Sequence, residues 1–408
     1  MTHTYLIKHT PQFKLMIFFL FIMSALTQAG LVLYTPAFLQ ISQAFHIAPA
    51  LVQITLTAYL LGFGISQLFY GPLSDRWGRK KILIGSMFIF SLGCLWCIYA
   101  STYEGLFISR GIQGFGAGAC MTLARAILRD CFNGKNYIYA ASFLSAGFAL
   151  GLGLSPVIGG HLLLYFPWQS EFICLLGCGI ALLFGFIFFL PETHVPEEPK
   201  PSIGLFWQQT FKHCVRILKD RQFMCCLIGG VMAYGVVIAY TTMGPFLFQD
   251  TLGFSATAYG WLTFLIAIAY YASASTNRKL IHRFNPIQIM KLGLVLILIA
   301  GVLMLIPRVL FHSLNLYFII IPLMIATYGQ ALIWSNTIAL ALQDLSKIAG
   351  TAAALFSCLQ MMLSAALSAI LAILSANNQL PLALTIIVLG LISWLMFYFS
   401  IFKKSYST

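Results

Sequence analysis

The chain has 408 residues, 60% of them hydrophobic and 15% aromatic, with only 8% charged side chains and a formal net charge of +13. That composition excludes a water-soluble domain and is typical of chains embedded in lipid. The positive balance suits membrane orientation and attraction to anionic headgroups rather than nucleic acid, because no basic face joined to an aromatic platform lies outside the apolar segments.

A helix crosses the hydrocarbon layer with about 20 apolar residues. Apolar runs separated by charge, Pro or Asn predict twelve such spans, at 15–34, 51–70, 82–101, 106–128, 138–163, 172–190, 223–246, 258–276, 287–306, 314–336, 349–375 and 380–402. The first run is too long for a signal-peptide core and no cleavage site follows, so it is expected to be retained. With the N-terminus inside, every Lys and Arg falls in an inner segment except Arg110, within a span, and Arg308, in an outer loop. This is the positive-inside pattern, and an even span number places both termini in the cytoplasm. The ten cysteines lie mostly within spans and read as free buried thiols. Cys94 and Cys97 form a lone C-x-x-C without a second pair or a nearby His, which favours packing over metal or redox chemistry.

Residues 191–221, rich in Pro and charge, form the longest polar stretch. They divide the chain into a six-span unit at 1–190, a cytoplasmic linker and a six-span unit at 222–408, with 206–221 suited to an amphipathic helix on the inner surface. The halves echo each other: the basic turn NRKLIHRFN at 277–285 stands where GPLSDRWGRKK stands at 71–81. Such an echo fits two six-helix bundles related by a pseudo-two-fold axis along the membrane normal.

In GPLSDRWGRKK, Gly71 and Pro72 are expected to end a helix, with Gly71 and Gly78 supplying close packing and backbone freedom for the reversal. Topological anchoring accounts for Arg76, Arg79, Lys80 and Lys81. It does not account for Asp75, since acids contribute little to orientation.

This loop resembles the signature of the major facilitator superfamily. The likeness extends through 59–81, RGIQGFGAGACMTLARAILRDCF at 110–132, SPVIGG at 155–160, GPFLFQDTLGFS at 244–255 and AGTAAALFSCLQ at 349–360, and is similar to the twelve-span drug:proton antiporters of the Bcr/CflA branch. The resemblance implies an all-α integral membrane protein of the major facilitator fold, with twelve helices in two pseudo-symmetric six-helix bundles. It implies a non-enzyme without metal or cofactor that exports hydrophobic or amphiphilic compounds across the bacterial inner membrane. The energy source would be the proton gradient, acting through alternating access, and the partners would be those small substrates, protons and lipid around a monomer. Uptake or metabolite exchange on the same scaffold is the alternative. A membrane enzyme or receptor is a remote one, because the eight His are scattered rather than clustered with acids at one face.

The resemblance also assigns roles. Asp75 would meet the positive N-terminal end of the eleventh helix near Ala349, and Arg79 would pair with Asp130, with Gly71, Arg76 and Gly78 completing a latch that holds the inner side shut. A carboxylate at a helix N-terminus gains about 0.3–1 kcal/mol when exposed and up to about 2 when partly buried. Arg110 matches a fourth-span motif; a buried Arg is costly, so it serves either coupling to proton or substrate or a structural hydrogen bond to neighbouring helices. Gly114 and Gly118 make a helix-packing face there. Gly151, Ser155, Pro156, Gly159 and Gly160 resemble the exporters' fifth-span motif, with Ser155 in place of a Gly.

An aliphatic and aromatic path with a few hydrogen-bonding groups suits amphiphiles. Guided partly by the resemblance, the cavity candidates are Gln28, Tyr34, Tyr59, Phe63, Gln113, Tyr234, Tyr240, Gln330, Trp334 and Gln360, each of which either lines the path or faces another helix. None of the ten acids falls at the centre of a span. Proton coupling therefore falls to Asp250, Glu104, Glu171 or His161, to Arg110, or to ionisation of the substrate itself.

Overall fold

A computed structural model describes residues 10–194, 203–311, 314–343, 345, 348–374 and 378–399. The helices are α1 (Pro11–Val32), α2 (Phe38–Phe45), α3 (Pro49–Trp77), α4 (Arg79–Tyr99), α5 (Tyr103–Cys131), α6 (Gly134–Leu162), α7 (Gln169–Phe188), α8 (Ile203–Leu218), α9 (Arg221–Phe246), α10 (Ala256–Leu280), α11 (Pro286–Phe311), α12 (Tyr317–Leu342), α13 (Ala349–Ile373) and α14 (Leu380–Phe397). A short turn at Thr35–Ala37 joins α1 to α2, so the first span is one bent rod, and α9 runs on through a wider turn at Leu247–Thr251.

Among the described residues, ten helical stretches are long and apolar enough to cross a membrane. Counting α1 with α2, the remaining two of the twelve expected spans are α5, 29 residues long, and α10, 25 residues long. Their apolarity is diluted by small and polar residues that face the interior: Ser109, Arg110, Gln113 and three glycines on α5, and Thr263, Ser273 and Asn277 on α10, are buried. Several starts have the side-chain caps that free N–H groups require. Thr102 Oγ1 accepts from Gly105 N at 3.1 Å, Asp220 Oδ1 from Phe223 N at 2.7 Å and Ser255 Oγ from Ala258 N at 3.2 Å.

One boundary differs from expectation in a way that matters. Gly71 and Pro72 do not end their helix; α3 continues to Trp77, with Pro72 inside it, and the break falls at Gly78, whose φ of 96° is open to glycine and strained for other residues. A Cβ on Gly71 would meet nothing nearer than 3.8 Å, so close packing is not its role. The amphipathic helix expected over 206–221 is α8, which packs against α9 and α13.

Helices α1 and α3–α7 pack among themselves, as do α9–α14, giving two bundles of six long helices. The bundles touch chiefly where α3 meets α13 and where α6 meets α10. A pseudo-two-fold that carries the first six spans onto the last six exchanges α3 with α10 and α6 with α13. The two seams are therefore one contact, made twice.

Candidate functional site

Small residues let the seams close. A Cβ on Gly160 of α6 would stand 2.5 Å from the Ala256 carbonyl oxygen of α10, and one on Gly260 of α10 would stand 2.4 Å from the Pro156 oxygen of α6. Thr257 Oγ1 donates to the Gly160 carbonyl at 3.0 Å. The other glycines of this motif face inward: Gly151 lies against Ala25 and Gly159 against Leu33, both in the first span. Ser155 and Pro156 sit between, with Ser155 buried. The motif thus packs α6 onto its own bundle with one face and onto the opposite bundle with the other. In the second seam, Gly64 of α3 lies against Cys358 and Met361 of α13. Nearer the end that carries the basic turns, Arg125 Nη1 donates to Ser357 Oγ across the seam at 2.8 Å.

Between the seams lies a small cavity lined from both bundles by Gln28, Phe63, Gln67, Met121, Arg125, Phe148, Tyr234, Trp334, Ser357, Gln360 and Met361. It has room for about one water molecule. Five of the expected residues, Gln28, Phe63, Tyr234, Trp334 and Gln360, stand on its wall, and the rings of Tyr234 and Trp334 pack at a tilt of 33° with centroids 5.2 Å apart. The others stand elsewhere. Tyr34, Tyr59 and Gln113 surround Arg110 one layer into the first bundle. Tyr240 lines a second, smaller cleft with Leu152, Thr263 and Ala267, its hydroxyl bonded to Thr263 Oγ1 at 2.5 Å. Gln330 is fully buried, with neither amide atom partnered among the described residues. Helix-to-helix packing claimed Tyr34, Tyr59, Gln113 and Tyr240, each of which bonds a neighbour in its own bundle.

Arg110 is enclosed completely. Its Nη1 donates to the Gly30 carbonyl at 2.9 Å and to Gln113 Oε1, whose Nε2 in turn donates to Cys94 Sγ at 2.9 Å. The guanidinium lies 4.0 Å from the Tyr34 ring centroid and 4.5 Å from that of Tyr59. Stacked rings hold a desolvated cation by about 2 kcal/mol each. Of the two roles open to Arg110, the bond to neighbouring helices is the one this geometry displays, and the side chain does not line the cavity.

The charged loop is built differently from the expected latch. Arg79 is buried at the first turn of α4 and bonds Asp130 Oδ2 at 3.0 Å, as expected, and also Asp75 Oδ1 and Ser74 Oγ. Asp75 does not reach α13 in the described structure: it is 54% exposed and pairs with Arg79 four residues on. Because α3 continues past Pro72, Asp75 rides on its last turn, beside Arg79. The ion cluster as described is internal to the first bundle, and a polar contact across the seam near that end, among the described residues, is Arg125 to Ser357. Glu192, from the linker, closes the loop: Oε1 accepts from Arg79 N at 2.8 Å and Oε2 from Lys80 N at 3.2 Å, capping α4 where Gly78 leaves no side chain to do so. Arg76 lies in the same turn, on the last turn of α3.

Of the coupling candidates, Glu104 is exposed, and Asp250 is exposed within the turn that extends α9. His161 is exposed on α6, with Nδ1 donating to the Val157 carbonyl at 2.7 Å. Glu171 alone among them is fully buried without a partner: neither carboxylate oxygen finds one among the described residues, and it packs behind Gly159.

Sequence reasoning missed Gln67, Met121, Arg125, Phe148 and Ser357 on the cavity wall, and Glu192 as a cap. Two signals were present: Met121 and Arg125 share one face of α5 at i, i+4, and Glu192 is an acid at the basic end, where it does nothing for orientation.

Two six-helix bundles that close on a shared cavity through symmetry-related seams define a multi-pass membrane transport protein. A sequence model of the Major Facilitator Superfamily matches residues 20–369. An uncharacterized MFS-type transporter of Bacillus subtilis (strain 168) is 30% identical over 96% of this chain and 97% of its own length. Multidrug resistance protein D of Escherichia coli (strain K12) is 28% identical over 91% of this chain and 92% of its own, and a bicyclomycin resistance protein homolog of Haemophilus influenzae is 25% identical over 93% and 94%. In fold, the chain is similar to a peptide transporter, POT, in complex with sulfate, with a TM-score of 0.75 at 14% identity over 93% of this chain and 94% of that one. It is also similar to a bacterial homolog of the human lysosomal transporter Spinster, with a TM-score of 0.67 at 15% identity over 95% and 97%. The chain belongs to the Major Facilitator Superfamily.

Proposed function

We propose that this transporter exports hydrophobic and amphiphilic compounds across the bacterial inner membrane in exchange for protons, by rocking of the two bundles. The observation that carries the reading is the central cavity, whose wall of aromatic rings, Met and amides is shared between bundles, so a bound molecule is exposed to whichever side the seams release. Rings and Met side chains repack around varied apolar shapes. Relatives named for multidrug and bicyclomycin resistance support export of such compounds. The positive-inside pattern supports a cytoplasmic side at the end with the basic turns, both termini and α8.

Glu171 is the proposed proton-binding group. An ionised carboxylate without a partner at that depth costs several kcal/mol, whereas the neutral acid is buried cheaply. Arg110 faces the ring of the next residue, Phe172, at 5.8 Å and bonds neither Glu171 oxygen, and His161 is exposed, so neither is its counter-ion. Gly159 and Gly160 connect the carboxyl to the α6–α10 seam. Uptake of a proton from outside then becomes the condition for closing that seam.

The test uses everted membrane vesicles from a strain without its own pumps. Dye should accumulate when the lumen is acidified, and Glu171→Gln should lose this accumulation while still equilibrating dye down its gradient. Accumulation that survives collapse of the pH gradient eliminates proton antiport. Gradient-driven accumulation by Glu171→Gln eliminates the assignment of Glu171 alone.

A further inference from the structure

The wall of the cavity is uneven in its polar groups. Arg125 is its one charged side chain among the described residues, and no described carboxylate lines it. Of the described acids, Asp75 and Asp130 are taken by Arg79, Glu192 caps α4, Asp220 caps α9, Glu171 is buried behind α6, and Glu104 and Asp250 are exposed. Among the described residues, Arg125 is held by the Ser357 hydroxyl. Around it stand three buried amides with unpartnered atoms: Gln67 Nε2, Gln360 Nε2 and Gln28 Oε1. Buried polar atoms are normally satisfied, and amides without partners among the described residues keep their bonding capacity for a bound molecule. Each amide carries both donor N–H groups and an acceptor oxygen, so the guanidinium alone gives the wall a sign, a full positive charge. Such a wall rejects a cation and holds an acceptor-rich anion through charge-assisted bonds.

The geometry points to a cavity that selects amphiphiles bearing an acidic group, a carboxylate, sulfonate or acidic phenolate, with Arg125 as the anion-binding residue and Gln67 and Gln360 as supporting donors. This rests on the reading of the cavity as the transport site and adds the substrate class. The planar guanidinium suits a two-oxygen acceptor in a way an ammonium does not. The same step bears on gating. An acid that takes Arg125 from Ser357 removes a hydrogen bond that spans the seam, so the substrate itself loosens the contact that must part.

The experiment compares three probes with one ring system on the purified full-length protein in nanodiscs: anthracene-9-carboxylate, 9-anthracenemethanol and (anthracen-9-ylmethyl)trimethylammonium. Binding is read from quenching of tryptophan fluorescence, with Trp334 on the wall. The wild type should bind the carboxylate about ten-fold or more tightly than the ammonium, the scale of one charge-assisted bond. Arg125→Gln should abolish that preference while leaving affinity for the neutral alcohol within about three-fold, which also shows that the variant folds. Arg125→Lys should restore part of it. Equal binding of carboxylate and ammonium by the wild type overturns the proposal, as does failure to bind the carboxylate at all. A preference that survives Arg125→Gln overturns the role of Arg125. Failure of proton-driven efflux in vesicles alongside the expected binding pattern refutes the export reading and leaves the anion preference standing.

Discussion

Adding one methyl group at Gly160 should prop open the seam between α6 and α10. The Cβ of Gly160→Ala would stand 2.5 Å from a backbone oxygen of Ala256 and 2.8 Å from the Cα of Thr257, neither of which can rotate away. Overpacking of this kind costs about 1–3 kcal/mol, and here the whole cost falls on the closed form, because the clash crosses between bundles. Closed and open populations should therefore shift by about 5- to 150-fold toward open. Gly151→Ala is the matched control: its Cβ would also meet a carbonyl oxygen at 2.5 Å, but that of Ala25 in the same bundle. It should lower the melting temperature without moving the gate. The assay is the distance between spin labels on cysteines at Leu164 and Trp261, both exposed near that seam, in a background without the native cysteines. If Gly160→Ala leaves the distance distribution unchanged, or Gly151→Ala shifts it equally, the seam is not where the bundles part.

The loop cluster separates two acids that look alike in sequence. Asp130→Asn strips a buried guanidinium of a partner that is itself 11% exposed and should cost about 3 kcal/mol or more, read as a large drop in melting temperature. Asp75→Asn, at a half-exposed partner, should cost within about 1 kcal/mol. Glu192→Ala removes the cap of α4 and should cost about 1 kcal/mol, with faster hydrogen exchange at the amides of Arg79 and Lys80 as the specific sign. Equal destabilisation by the two Asp variants, or unchanged exchange in the third, contradicts the arrangement described.

Twelve apolar runs and one charged loop made the fold legible, because lipid demands long continuous helices and basic loops announce their side. What sequence could not supply was the direction each side chain takes around its helix. Tyr59 and Phe63 lie four residues apart on one face, yet Phe63 reaches the cavity while Tyr59 donates to the Thr27 carbonyl and flanks Arg110. Arg125 was absorbed by the orientation rule, which counts charge without asking what the side chain touches. The helix boundary was misplaced at Pro72, and with it the turn of helix on which Asp75 stands beside Arg79. A proline inside a helix is poorly tolerated in water but acceptable in a membrane bundle, so the usual stop signal lost its force here. Glu171 was one name among several until enclosure singled it out.

The two seams also bear on the space between the bundles. Under the proposed rocking, α3 and α6 move with one bundle and α13 and α10 with the other, so prising the bundles apart on one face would press them together on the opposite face. In the arrangement described, the space between the bundles holds about one solvent molecule, too few for a file of waters through the cavity.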